Sequence, residues 1–323
     1  MRLDKKDWAI LYELDFEARQ SNKQIGRKVG LSPETVHYRI KQLEKDNIIQ
    51  RYMIILRFTL LGIKQHKIYF QFHHFTHEAE KEIVSFCVGH PQIIWVASCV
   101  GTYDLLIAIL TKTTDAFLVL KNEILFRFAR YIVNHHVTHM VESVTYRRNY
   151  FIGQNNHFPA EVILDRTDDK EIAVDNIDIT ILQQLAKNGR MPAVEIARNI
   201  HSTPRQVLYR IRALEKSGVI HGCKLSINYQ KLDISFFKCF IKLENPTPAR
   251  LKQFVSYCRL NPHIIHHVRT LGDWDLEPEF EVFGPTKFYA LLREMRHLFV
   301  DIIHSLDTIM ITDEHKFAYF PEK

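Results

Sequence analysis

The feature that most constrains the fold is an internal repeat, because the sequence matches itself without a gap when it is shifted by 171 positions. The best-matched block pairs Pro33-x-x-Val36-x-Tyr38-Arg39-Ile40-x-x-Leu43-Glu44-Lys45 with Pro204-x-x-Val207-x-Tyr209-Arg210-Ile211-x-x-Leu214-Glu215-Lys216. The register persists downstream, where Gly101-x-x-Asp104 meets Gly272-x-x-Asp275. Self-similarity at a fixed period is the signature of a repeated structural unit. We therefore expect one two-domain unit written twice, and we call the copies unit one (residues 1–152) and unit two (residues 174–323).

Length and composition favour an ordinary globular protein of several domains. The chain has 323 residues, of which 46% are hydrophobic and 25% charged, enough to bury a substantial core. It contains no apolar run of the ~18 residues that a membrane span needs, and no apolar segment follows its basic first residues. The five cysteines are scattered, without a C-x-x-C pair, so we expect neither a disulfide scaffold nor a zinc site, and a cytoplasmic location without membrane contact.

The positive charge is confined to two short segments. Lysine and arginine outnumber aspartate and glutamate by eleven to eight in residues 1–52 and by seven to four in residues 172–223, which accounts for the whole net charge of +6. Local excess positive charge is the footprint of a surface that meets phosphate groups. Double-stranded DNA is therefore the expected partner of both segments.

Both basic segments have the pattern of three short helices. In residues 1–52 the apolar positions have helical spacing in three groups, and Ser21-x-x-Gln24 and Thr203-x-x-Gln206 have capping-box spacing. The third helices are expected to stop at Asn47 and Gly218. Ile48-Ile49 and Val219-Ile220 then open what we expect to be a short β-hairpin, or wing, in each copy.

A helix-turn-helix places its second helix in the DNA major groove. If Val36, Ile40 and Leu43 face inward, the opposite face of that helix is the candidate DNA reader. The outward residues are Glu34, Thr35, His37, Tyr38 and Lys41 in unit one, and Arg205, Gln206, Leu208, Tyr209 and Arg212 in unit two. The helix caps Ser32 and Thr203 and the backbone-contacting cations complete the candidate set, the cations being Lys23, Arg27, Lys28, Arg39, Arg198 and Arg210. The alternative is that these are ordinary solvated helix faces.

The same residues resemble a known family. The motifs Asp4-x-x-Asp7-x-x-Ile10-Leu11, Ile25-Gly26-Arg27-x-Val29-Gly30-Leu31-Ser32-Pro33 and Arg39-Ile40-x-x-Leu43-Glu44-Lys45-x-Asn47-Ile48-Ile49 are similar to those of the Lrp/AsnC regulators, the leucine-responsive and asparagine-operon type. The resemblance implies domains that dimerise through their sheets and, in many members, bind amino acids near a Gly-x-Tyr-Asp turn. A typical member is a single unit, so the tandem form is a departure.

The second half of each unit has the order of a ferredoxin-like domain. In unit one, strands at 68–72, 93–97, 104–110 and 137–146 alternate with helices at 78–88 and 115–130 as β-α-β-β-α-β, and unit two repeats the order from Cys239 to Phe320. The fold class is thus α+β. We predict helix-turn-helix domains at 1–52 and 174–223, ferredoxin-like sensing and pairing domains at 53–152 and 224–323, and a linker at 153–173. Each domain leaves a sheet face to cover, so we expect these domains to pair, within one chain or between two.

Two turns are candidate sites for a small-molecule effector such as an amino acid. They are Gly101-Thr102-Tyr103-Asp104 and Gly272-Asp273-Trp274-Asp275. A glycine permits a tight backbone, and a carboxylate with free amides can hold an ammonium and a carboxylate group; alternatively, the turns only shape hairpins. After the second turn, Asp275, Glu277, Glu279 and Glu281 share one face if they lie on a strand, where we expect a solvated acidic face rather than a metal site.

The preferred function is a sequence-specific DNA-binding transcriptional regulator, not an enzyme, with no catalytic residue, metal or cofactor. The rival enzyme is a siroheme decarboxylase, since such enzymes resemble Lrp/AsnC proteins and work as two related subunits. The histidine groups His73-His74, His135-His136-x-x-His139 and His263-x-x-His266-His267 support that alternative, but no H-E-x-x-H motif or phosphate loop accompanies them. A third alternative is a metabolite sensor that no longer binds DNA.

Overall fold

The computed structural model describes residues 3–73, 76–153, 161–166, 168–318 and 320. In these ranges none of the helices combines the length and apolar character needed to cross a membrane. All five cysteines are buried and have free thiols.

Each unit begins with three helices, as the apolar spacing predicts. They are α1 (Lys5–Glu17), α2 (Asn22–Val29) and α3 (Pro33–Lys45) in unit one, and α6 (Asn176–Lys187), α7 (Ala193–Asn199) and α8 (Pro204–Lys216) in unit two. The predicted capping boxes at Ser21 and Thr203 form, and each satisfies backbone donors at a helix start. Asn47 and Gly218 take left-handed φ values of 53° and 81° just after the third helices, which confirms the predicted stops.

A strand follows each third helix, but it does not fold back into a hairpin. Strand β1 (Ile49–Leu56) pairs antiparallel with β7 (Ile220–Ile227) of the other unit, with Tyr52 opposite Leu225. The strand of each expected wing is present, but it pairs with its counterpart in the other unit and not with a return strand of its own copy. Both strands are buried along most of their length, so each needs a long apolar partner, and the equivalent strand of the other unit supplies it. We call this pair the inter-unit ribbon.

The ribbon ties each helix-turn-helix domain to the other unit. The amide of Ala18, at the end of α1, donates to the carbonyl of Cys223 at 3.2 Å. The amide of Gly189, just after α6, donates to the carbonyl of Tyr52 at 2.7 Å. The two helix-turn-helix domains are thus held in one assembly by backbone hydrogen bonds.

The second domain of each unit has the predicted β-α-β-β-α-β order. Unit one contains β2 (Lys64–Phe72), α4 (His77–Gly89), β3 (Ile93–Gly101), β4 (Leu105–Thr111), α5 (Thr114–Arg127) and β5 (Ile132–Tyr146). Unit two contains β8 (Ile234–Leu243), α9 (Pro248–Leu260), β9 (Ile264–Leu271), β10 (Leu276–Phe283), α10 (Pro285–Leu298) and β11 (Ile303–Phe317).

The two four-stranded sheets join edge to edge into a closed ring. The strand order is β2-β4-β3-β11-β8-β10-β9-β5, and β5 pairs back with β2. The junctions between units are β3 with β11 and β9 with β5. One apolar core lies between each sheet and its own helices, and the opposite sheet faces enclose the interior of the ring. The expected pairing of the sensing domains therefore occurs within one chain.

The connection between the units contains a strand where we expected a linker. Strand β6 (Glu161–Arg166) pairs antiparallel with β5. Beyond it, Asp169 forms an ion pair with Arg57, and the amide of Ile172 donates to the carbonyl of Leu60 at 2.7 Å. The sequence signal for this strand is the short apolar run that includes Ile163 and the buried Leu164. Residues 154–160 of the predicted linker lie outside the described residues.

Candidate nucleic-acid interface

The third helix of each helix-turn-helix domain buries the residues that the sequence pattern places inward. Val36, Ile40 and Leu43 are buried on α3, and Val207, Ile211 and Leu214 are buried on α8. Each helix begins with a proline behind a hydroxyl cap, since Ser32 and Thr203 accept from the amides three residues on. The two helices are therefore seated alike on their own domains.

The opposite faces of these helices are open to solvent. Tyr38 and Tyr209 are 64% and 74% exposed, although aromatic rings are usually found packed. Thr35 and the arginines Arg39 and Arg210 are partly buried. The remaining outward residues are exposed, namely Glu34, His37, Lys41, Arg205, Gln206, Leu208 and Arg212. Lys23, Arg27 and Lys28 on α2, and Arg198 on α7, are also exposed.

Three predicted phosphate contacts already have carboxylate partners inside their own domain. Lys28 donates to Glu13 at 2.7 Å. Arg39 donates to Asp4 at 2.8 Å and to Asp7 at 2.7 Å, which fastens α3 to the start of α1. The hydrogen bond from the Asp7 amide, followed by the one from Arg39, lowers the pKa of Asp4. Arg210 makes the same clamp in unit two. These arginines position the reading helix whether or not they also touch DNA.

The two reading helices differ in charge. Helix α3 has three basic residues against two acidic ones, and Lys41 is paired with Glu44 at 2.8 Å. Helix α8 has four basic residues against one acidic residue. Arg205 and Arg212 on α8 are exposed, so the unit-two helix has more charge to offer phosphate groups.

The glycine turns lie where one unit meets the other. A Cβ on Gly101 would come within 2.6 Å of the carbonyl oxygen of Thr308, and one on Gly272 within 2.7 Å of the carbonyl oxygen of Val137. Gly101 also has a φ of 128°. Close approach of a strand from the other unit therefore requires glycine at both positions.

The other side chains of these turns have structural partners. Asp104 and Asp275 each accept a backbone amide at 2.8 Å, from Phe72 and Leu243 respectively. Tyr103 and Trp274 are each 5% exposed. Their aromatic side chains lie in the interior of the closed ring of strands, with centroids 5.9 Å apart. Thr102 is partly buried and Asp273 is exposed, with Asp273 bonded to His136. An effector role for the turns stays a prediction.

The acidic residues of β10 are buried, so the expected solvated acidic face is wrong. Glu277, Glu279 and Glu281 are 0%, 4% and 0% exposed. They share one strand face as predicted, but that face points into the ring, while Phe280 and Val282 point to the helices. The spacing of the glutamates could not indicate this burial, because the cations that contact them lie on strands distant in the sequence.

Glu277 is the centre of this buried network. It accepts from Lys67 at 2.8 Å and from Lys238 at 2.7 Å. The Tyr69 hydroxyl and the Trp274 indole donate to it at 2.9 and 2.8 Å. Burial alone would raise the pKa of Glu277, but Lys238 and Lys67 outweigh burial and hold it at about 2. The carboxylate is therefore charged and joins both units.

The other two glutamates also have cationic partners. Glu279 accepts from Lys238 at 2.6 Å and pairs with His266 at 3.0 Å. Glu281 accepts from Arg148 at 2.7 Å, and Arg148 also binds Asp15 of α1 at 2.5 Å. This second link connects the ring to the helix-turn-helix domain of unit one.

The histidine groups do not form a metal site in the described part of the chain. No three histidine, cysteine, aspartate or glutamate side chains among the described residues are grouped closely enough to hold a metal ion. His266 bonds to Ser143 and Glu279, and His267 to the Tyr146 hydroxyl. His74 lies outside the described residues.

Comparison with known proteins identifies the family. The model for winged helix-turn-helix DNA-binding domains matches residues 3–50 and again residues 174–221. The leucine-responsive regulatory protein of Haemophilus influenzae is 38% identical over 121 residues, which is 37% of this chain and 73% of that protein. The Escherichia coli protein of the same name is 35% identical over 122 residues, 38% of this chain and 74% of its own length. The chain belongs to the Lrp/AsnC family.

This Lrp/AsnC protein also resembles a solved structure along its whole length. The siroheme decarboxylase NirDL superposes with a TM-score of 0.62 and 12% sequence identity, covering 98% of this chain and 94% of that one. At this identity the likeness shows a shared fold, including the tandem of two units.

Proposed function

We propose that this Lrp/AsnC protein is a sequence-specific DNA-binding transcriptional regulator whose two helix-turn-helix domains act together from one chain. The observation that carries the proposal is the pair of exposed reading helices, α3 and α8, on domains that the inter-unit ribbon holds in one assembly. Regulatory relatives and two matches to a DNA-binding domain model support it, and they favour a function other than catalysis.

The outward residues of α3 and α8 read the bases in this proposal. Arginine recognises guanine and glutamine recognises adenine in the major groove, while glutamate accepts from cytosine. Arg205 and Gln206 therefore favour a different base pattern from Glu34 at the corresponding end of α3. The exposed cations of α2 and α7 hold the phosphates, namely Lys23, Arg27, Lys28 and Arg198.

A small molecule such as an amino acid modulates this activity in the second part of the proposal. The turns at Gly101 and Gly272 lie at the two junctions of the ring. A solute bound there would alter the contact between units, and through the ribbon the relation between the reading helices. Mapping the residues whose amide exchange slows on adding an amino acid checks this part.

Titration of the full-length protein against DNA sequences selected from a random pool tests the DNA-binding proposal. Affinity should fall steeply with salt, and Arg198→Gln should reduce the log-log slope by ~0.9, the value for one lost phosphate contact. Lys252→Gln removes an exposed cation from α9 and serves as the matched control. Binding that does not depend on salt, or equal effects of the two variants, would contradict the proposal.

A siroheme decarboxylase activity is the second candidate function. One observation favours it: NirDL covers both units of this chain, whereas the H. influenzae and E. coli regulators match 37% and 38% of it. Anaerobic incubation of the purified protein with siroheme, followed by mass spectrometry, separates the alternatives. Conversion to a product that has lost carbon dioxide supports the enzyme, and unchanged siroheme supports the regulator.

A further inference from the structure

A cavity of about 90 Å³ lies inside the ring, between the two units. Apolar side chains from both units line much of it, including Phe58 and Ile94 from unit one and Leu225 and Phe236 from unit two. A cavity needs roughly 10–15 Å³ for one water molecule, so this one has room for about six water-sized groups. Its size and apolar walls suit a small organic molecule.

Most of the charged groups buried at and beside the cavity form a set with equal numbers of cations and carboxylates, and two further carboxyl groups lie outside this set. The balanced set has four cations and four carboxylates, Lys67, Lys224, Lys238 and Arg148 with Asp15, Glu277, Glu279 and Glu281. Ion pairs join most of them directly, and Lys224 lies in the field of Asp15, Glu281 and Glu279. His266 adds little charge, because burial lowers its pKa although Glu279 opposes this.

Two further carboxyl groups line the cavity, and neither has a lysine or arginine partner among the described residues. Asp165 is 3% exposed; its Oδ1 accepts from the Thr59 amide at 3.0 Å, and its buried Oδ2 has no hydrogen-bond partner among the described residues. Glu314 is partly buried and accepts from the Trp95 indole at 2.9 Å. Burial raises the pKa of Asp165 to about 7, and burial with the nearby Glu281 and Glu279 raises that of Glu314 to about 7.

The repeat places these two carboxyls at corresponding points of the ring. Glu314 on β11 occupies the position that Ser143 holds on β5. Asp165 on β6 pairs in register with that same Ser143. On the side of unit one, the carboxyl group, Asp165, therefore comes from the connecting strand. On the side of unit two, the carboxyl group, Glu314, comes from a strand of the ring itself.

We propose that this cavity binds a short aliphatic amine in its ammonium form, with the charge at Asp165 or Glu314 and the hydrocarbon against the apolar walls. An anion is disfavoured, because Lys67, Lys238 and Arg148 already have carboxylate partners, and the Lys224 ammonium donates to the Thr145 hydroxyl and the Tyr146 carbonyl. A hard metal cation needs several oxygen ligands, and no grouped set of three exists among the described residues. An ammonium group supplies the missing positive charge and donates to the Asp165 Oδ2 atom.

The test measures binding to the full-length protein without DNA, so its outcome is independent of the proposed regulatory function. Butylamine, 1-butanol and butanoate are titrated at equal ionic strength in a buffer that is not itself an amine, by calorimetry and thermal unfolding. We expect binding and a raised Tm with butylamine alone. Equal responses to butylamine and butanol, or no response to butylamine, would overturn the proposal.

Variants locate the site. Asp165→Asn keeps the shape and removes the charge, and we expect it to weaken butylamine binding about tenfold or more, in line with buried charge pairs. Glu314→Gln provides a second test should Asp165→Asn fold poorly, and should weaken binding as well. Asp168→Asn, whose side chain is 70% exposed in the same connection, is the matched control. If neither cavity variant weakens butylamine binding more than this control, the amine does not occupy the cavity.

Discussion

Strands β4 and β10 occupy the same place in the two units, yet they present opposite chemistry to the interior of the ring. The inward residues of β4 are Leu106, Ala108 and Leu110, and those of β10 are Glu277, Glu279 and Glu281. The neighbouring lysines do correspond, since Lys67 on β2 matches Lys238 on β8. The acids are therefore present in one copy, while the cations that need them are present in both.

This difference specifies which units pair. Two copies of unit one would bury two Lys67 side chains against leucine and alanine, whereas two copies of unit two would bury the six glutamates of β10 with only four lysines, two each of Lys224 and Lys238. Both arrangements leave uncompensated buried charge, which is strongly destabilising. Only the unlike pair brings Lys67 and Lys238 to the same Glu277. The duplicated chain has thus become two complementary halves.

Replacing the acids with the residues of the other copy should have the largest effect. Glu277→Leu combined with Glu279→Ala leaves Lys67 and Lys238 without carboxylate partners. Since breaking one buried pair costs about 3–5 kcal/mol, and a protein is stable by only about 5–15 kcal/mol, we expect this variant to be largely unfolded. Urea unfolding followed by circular dichroism measures the loss.

Removing the stranded cations should restore the fold. Adding Lys67→Met and Lys238→Met to the two acid substitutions replaces the charges with apolar side chains of similar length, a change that is often neutral in other proteins. An unfolded four-fold variant would show that packing, rather than charge, decides the pairing.

A smaller effect is expected from Glu277→Gln, which retains the shape of the side chain. We expect a loss of about 3–5 kcal/mol at pH 7. Because the folded-state pKa is lowered from 4.5 to about 2, the stabilisation is complete above pH ~4.5 and disappears as the pH falls towards 2. The gap between wild type and variant should therefore close over that interval.

Free energies of unfolding at a series of pH values check this prediction. Glu244→Gln, at a side chain 64% exposed, should leave the pH dependence unchanged. A gap that is constant from pH 7 to pH 2 would contradict a charged Glu277.

Alanine substitutions in the glycine turns test how closely the two units approach each other at the two junctions of the ring. Gly101→Ala and Gly272→Ala should both destabilise the protein, since each new methyl group meets a carbonyl oxygen of the other unit. Gly101→Ala should cost more, by about 1–3 kcal/mol, because it adds the strain of a positive φ. Gly89→Ala has open space and serves as the control in urea titrations. Equal urea midpoints for all three variants would contradict the prediction and would show that the backbone at the junctions shifts to make room for the added methyl groups.

The smallest effect on stability, and the largest on specificity, is expected from exchanging residues 34–41 with 205–212. The exchange preserves the buried Val, Ile and Leu positions of α3 and α8, so unfolding should change by no more than about 0.5 kcal/mol. The preferred DNA site should reverse its orientation, because the two helices read different half-sites. Binding-site selection measures this, and a palindromic consensus for wild type would contradict unlike half-sites.

Local sequence patterns predicted most elements but not their partners. The spacing of Val36, Ile40 and Leu43 located α3, and the alternation of Glu277, Glu279 and Glu281 placed them on one strand face. The same alternation does not say which way that face points. The deciding cation Lys67 lies on β2, in the other unit, and a one-dimensional pattern carries no record of such a contact.

The pairing of β1 with β7 in the inter-unit ribbon was not predicted, because it too is a contact between residues distant in the sequence. Ile49 and Ile220 each mark the start of a strand, and a nearby return strand is the usual partner. The apolar length of β1 and β7 suits them to each other, but this is visible only when the repeat is treated as an interface. Among the candidate DNA contacts, exposure followed from the helical pattern, whereas the clamps of Arg39 and Arg210 depend on where the first helix begins.

The covalent continuity of the ribbon has a consequence for dosage. Strands β1 and β7 belong to one polypeptide, so dilution cannot separate the two reading helices. The effective concentration of one reading helix near the other is fixed by the fold. A regulator assembled from separate subunits loses its paired form at low abundance. Operator occupancy by this chain should follow a hyperbolic isotherm, even when only a few molecules are present in a cell.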